Sequence, residues 1–83
     1  MNKIRVEIHI PVAQKVLEVF LPLHLRMGEI IRLVSKMAID MTGGLFNQSE
    51  ETVLCNKEDG SILDMNASVL EAGLKNGTKL VLI

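Results

Sequence analysis

The chain has 83 residues, 48% of them hydrophobic and 23% charged, with a formal net charge of −1. That is apolar material for one small core, read here as a single domain over 1–83, and too much for a disordered segment. Nine Lys plus Arg against ten Asp plus Glu, two Phe and no Trp or Tyr provide neither a basic stripe for phosphates nor a stacking platform for bases, so nucleic acid is excluded as a partner.

From Lys3 to Ile10 apolar and polar residues alternate strictly, with Ile4, Val6, Ile8 and Ile10 on one face, the pattern of a half-buried strand. Pro11 ends it, and after a short polar connection a second β-rich run extends from Val16 to Leu21, predicting a hairpin. In this run Leu17, Val19 and Leu21 share one face; Val16, Glu18 and Phe20 share the other. Pro22 closes it. Met27, Ile30, Ile31, Val34, Met37, Ala38 and Met41 then recur at helical spacing, opposite Gly28, Glu29, Arg32, Ser35, Lys36 and Asp40. Gly43 or Gly44 after Thr42 stops this helix, whereas its start is poorly marked because Leu25 and Arg26 are weak caps.

Leu45 to Glu51 reads as a polar loop, followed by a short strand at Thr52 to Asn56 and a turn at Glu58-Asp59-Gly60. Ile62 and Leu63 add a strand fragment, and Ser68 caps a brief helical turn to Ala72. Asn76-Gly77 then turns the chain into a last strand, Lys79 to Ile83. The order is β-β-α-β-β. The run from the Val69-Leu70 pair through Gly73-Leu74 and Gly77 to Leu80-Val81-Leu82 carries the apolar-x-x-x-Gly-apolar spacing that closes ubiquitin-like domains.

On these residues the chain resembles the β-grasp superfamily of ubiquitin. Within it the chain is similar to the YukD/EsaB group of small ubiquitin-like proteins associated with type VII secretion in Gram-positive bacteria. Three stretches carry that similarity: Val16-Leu17-Glu18-Val19-Phe20-Leu21 through Gly28-Glu29-Ile30-Ile31, then Cys55-Asn56-Lys57, then Gly73-Leu74-Lys75-Asn76-Gly77. The chain runs slightly longer around Glu58 to Leu63 than that group. The resemblance implies an α+β fold, a mixed four- to five-stranded sheet packed on one amphipathic helix. It also implies an interaction module whose partners are membrane-associated secretion components. The alternative is a ubiquitin-like modifier or sulfur carrier. Such proteins work through a C-terminal Gly-Gly, and this sequence ends Leu80-Val81-Leu82-Ile83, so conjugation is not expected.

The residues assemble no catalytic site, no metal site and no cofactor site. Alternation from Val53 turns Cys55 inward as a buried thiol, and a lone inward cysteine lacks the base or cation that would activate it. His9 and His24 lack partners at ligand spacing, and the pairs Glu50-Glu51 and Glu58-Asp59 lie in solvated loops. With one cysteine, an N-terminus lacking a continuous apolar run, and no stretch of ~18 apolar residues, a cytoplasmic protein without direct membrane insertion is expected. What remains is apolar excess on the sheet face away from the helix. If the last strand lies between the first and third, Leu54, Val81 and Ile83 cluster outward with Val12 nearby, and these four are the expected partner-binding residues. Burial of this patch in a homodimer is the competing explanation. Phe20 with Val16 forms a second, smaller patch.

Overall fold

A computed structural model describes residues 3–83. Its elements are β1 (Lys3–Ile10), a 3-10 turn (Pro11–Ala13), β2 (Lys15–Pro22), α1 (Met27–Met41), β3 (Leu54–Asn56) and β4 (Thr78–Leu82). The sheet runs β2-β1-β4-β3, with β1 and β2 antiparallel, β1 and β4 parallel, and β3 and β4 antiparallel. The last strand therefore lies between the first and third, as expected, and the mixed four-stranded sheet with one helix is the ubiquitin-like β-grasp. Ile62 contributes only an isolated bridge to Cys55, so no fifth strand forms among the described residues.

Alternation on β1 and β2 translates directly into packing. Val6, Ile8, Ile10, Val19 and Leu21 enter the core, where they meet Met27, Ile30, Ile31, Val34 and Ala38 of α1 and Leu80 and Leu82 of β4. Each of these Val, Ile, Leu and Met side chains contributes about 1.5–3 kcal/mol on burial. Leu74 and Val69 close the core from the last connection.

The helix departs from its expected face at one flank. Ser35 is fully buried, while Met37 and Met41 are exposed, as is Leu33. The cause is tertiary: Gly28 lies against Met65, and Ile31 shares a cleft with Thr52 and Met65. The segments around Thr52 and Met65 thus cover one side of α1 and leave the other bare. The weak start of α1 is remedied by the same region, because the N–H groups of Met27 and Gly28 donate to the carbonyls of Ala67 (2.9 Å) and Met65 (3.0 Å). A distant backbone does what a capping side chain usually does. At the other end Thr42 Oγ1 donates to the Ala38 carbonyl (2.7 Å) and accepts from Phe46 N–H (3.1 Å), and Gly43 takes φ +62°.

Ser68 behaves as expected of a cap, although the segment is a turn rather than a helix. Its hydroxyl accepts from Glu71 N–H (3.0 Å), and its own N–H donates to Glu71 Oε1 (2.9 Å), a reciprocal arrangement that satisfies two donors.

Candidate functional site

The short strand β3 overturns one expected site residue. Its register pairs Leu54 with Leu82 and Cys55 with Val81. Residues opposite each other in a ladder share a face, and Leu82 belongs to the core. Leu54 is consequently 0% exposed inside the core, and cannot touch a partner. Cys55 stands on the outer face instead of pointing inward. It is still only 7% exposed, with Val81 on one side and Ile62 bridged to it on the other. A one-residue shift in register exchanges the two faces completely, and two adjacent apolar residues in a three-residue strand carry no alternation from which to read it.

The other three expected residues stay on the surface. Val12 (59% exposed) and Ile83 (56%) line one shallow groove of about 420 Å³ with Pro11, Leu45, Phe46 and Leu82. Ile83 is held there by two main-chain bonds, its N–H to the Val53 carbonyl (3.1 Å) and the Val53 N–H to its own carbonyl (2.8 Å). Val81 lies half-buried on the same outward face, between its ladder partners His9 and Cys55.

Leu45 was missed by sequence reasoning, being placed in a polar loop, yet it is 64% exposed at the groove. The available signal was the apolar pair Leu45-Phe46 directly after the helix-stopping glycines. Phe46 is buried and pins the segment, and Leu45 is thereby presented outward. An open, mainly aliphatic groove of this kind suits an apolar side chain of another protein better than an enclosed small molecule.

Electrostatics at the groove are quiet, since none of its six named residues is charged. Elsewhere, Asp59 is held below the ordinary carboxylate range by the N–H and hydroxyl of Ser61, and Glu71 likewise by the N–H and hydroxyl of Ser68. Both are exposed loop carboxylates locked in local turns. His9 is half-buried on the outer face, its Nε2 3.9 Å from Glu7 Oε1 and without a hydrogen-bond partner. Among the described residues no three His, Cys, Asp or Glu side chains converge as a metal site, and no helix is long and apolar enough to cross a membrane.

No family model matches the chain, and no curated protein sequence matches it. Solved structures do. The EccD5 ubiquitin-like domain from Mycobacterium xenopi superposes with a TM-score of 0.82 at 22% identity, covering 100% of this chain and 94% of that one. The ubiquitin-like domain of the Mycobacterium tuberculosis type VII secretion system protein ECCD1 gives 0.69 at 17% identity, covering 100% and 99%. A chain of the toluene 4-monooxygenase HD complex gives 0.81 at 11% identity, covering 96% and 95%. These likenesses establish the fold; the same scaffold occurs in a secretion protein and in an oxygenase complex, so the site must carry the argument for function.

Proposed function

We propose that this chain is a non-catalytic ubiquitin-like protein–protein interaction module, a cytoplasmic accessory component of a type VII secretion system similar to the YukD/EsaB group. It recognises its partner through the groove of Val12, Leu45 and Ile83 and the adjoining Val81. The observation that carries the reading is the groove itself: Val12, Leu45 and Ile83 expose more than half of their surface around one concavity without a charged lining residue. Apolar side chains gathered in this way are a recognised mark of protein docking. In favour of the secretion context stand the resemblance in sequence pattern and the likeness in fold to the EccD5 and ECCD1 domains.

In this reading the domain acts by reversible contact, without being conjugated. In-cell crosslinking followed by mass spectrometry tests it. Wild-type protein is expected to capture membrane-embedded secretion ATPase and channel subunits, and the Val12→Asp/Ile83→Asp double variant, folded by circular dichroism, is expected to lose them. Capture that excludes every secretion component refutes the context, equal capture by the double variant refutes the groove, and a mass increment from a covalent adduct at the C-terminus supports the modifier alternative.

A further inference from the structure

The chain treats the two edges of its sheet differently. Beyond β3 it covers itself: Asn56 N–H donates to the Ser61 carbonyl (2.8 Å) and Leu63 N–H to the Leu54 carbonyl (2.9 Å). Beyond β2 only the end is covered: Leu25 N–H donates to the Pro22 carbonyl (3.3 Å), whereas Val16, Glu18 and Phe20 take no such bond from a described residue. Gly77 N–H donates to the Arg5 carbonyl (2.8 Å) and Arg5 N–H to Asn76 Oδ1 (2.8 Å), so odd-numbered residues of β1 turn their main chain toward β4, and even-numbered ones toward β2. With the register running from Ile4↔Leu21 to Ile10↔Lys15, the odd residues of β2 answer. The N–H and C=O groups of Val16, Glu18 and Phe20 therefore point away from the sheet.

That edge is open along its middle. Its eight pairs with β1 contain no bulge, Lys15 and Pro22 blunt only its two ends, and the stretch from Val16 to Phe20 is a template for another strand. Its outer-face side chains include Phe20, 63% exposed, and Val16. The bare flank of α1, with Leu33, Met37 and Met41 exposed at a spacing of four, lies on the same side of the molecule, because the opposite flank is occupied by Met65 and by Thr52, which leads into β3.

We propose that β2 pairs antiparallel with β2 of a second copy of this chain, about a twofold axis at Val19. Charge and length select that register. An axis at Glu18 would set two carboxylates directly opposite each other, which is destabilising. An axis at Leu17 would leave Phe20 facing the turn residue Gln14. At Val19, Glu18 and Phe20 of the two copies exchange main-chain hydrogen bonds, and Glu18 keeps its own ion pair with Arg5 (2.8 Å).

On the inner face the same operation sets Leu17 against Leu21 and Val19 against Val19, so the two apolar layers become continuous. The axis is perpendicular to the joined sheet, and both helices lie on one side of it with their bare flanks turned toward each other. A foreign peptide could match the main chain, but only a second copy supplies the inner-face residues and the second helix flank together. The pairing requires neither Val12 nor Ile83, so its failure and that of the partner groove are separately observable.

Sedimentation equilibrium on the whole chain, from micromolar to millimolar, tests the proposal. The wild type is expected to reach the mass of two chains. Phe20→Glu places a carboxylate opposite each Glu18 and raises the dimer dissociation constant at least about tenfold. Phe20→Lys, which places an ammonium there instead, retains the dimer. Circular dichroism confirms that both variants fold. A monomer at every concentration, or equal dissociation constants for the two variants, overturns the pairing.

Discussion

Leu54→Ala measures the register of β3 directly, because the two faces available to this residue predict very different losses. Leu54 is 0% exposed, paired with Leu82 at 1%. Removing its isopropyl group forfeits roughly 0.8 kcal/mol for each buried CH₂-sized group, and the unfilled space adds to that, giving a loss of about 2–5 kcal/mol. An outward Leu54 would lose no more than about 0.5 kcal/mol. For a chain of this size total stability is on the order of 4–12 kcal/mol, so the buried case removes a large fraction of it. Urea denaturation followed by circular dichroism reads the difference as a lower midpoint at unchanged slope. A loss under about 1 kcal/mol would contradict the Leu54↔Leu82 pairing, and with it the removal of Leu54 from the outer face of the sheet.

Gly77 has φ +86° and donates its N–H to the Arg5 carbonyl at 2.8 Å; Gly77→Ala is expected to cost about 1–2 kcal/mol in the same assay, through backbone strain rather than crowding. Stability should also fall in acid. The folded state holds Asp59 and Glu71 below their ordinary values of 3.8 and 4.5, so their contribution is complete above about pH 5 and is lost as pH drops through the lowered values. Asp59→Asn with Glu71→Gln should therefore flatten the acid limb of a Tm-against-pH curve, and an unchanged limb would show that these turns do not couple to folding.

Much of this molecule follows from local pattern. Alternation at Ile4, Val6, Ile8 and Ile10 specifies β1 and its buried face, since a period of two admits one inward set. The spacing from Met27 to Ala38 specifies a helix, and Gly43 its end, because glycine enters the left-handed region without a Cβ penalty. Of the groove proposed for docking, the exposure of Val12 and Ile83 is legible from apolar residues left over once the core is assigned; that of Leu45 is not, because it depends on the burial of Phe46 beside it.

Tertiary structure decided the rest. Leu54-Cys55 is apolar at both positions, so only the ladder to Val81 and Leu82 selects which one enters the core. Ser35 is buried and Met37 bare because segments distant in sequence, around Thr52 and Met65, pack on one flank of α1 and not the other. The helix starts at Met27 because the carbonyls of Ala67 and Met65 accept its first N–H groups. In each case the deciding partner lies 15 or more residues away along the chain, beyond the reach of any periodicity, and is brought into contact only when the core closes.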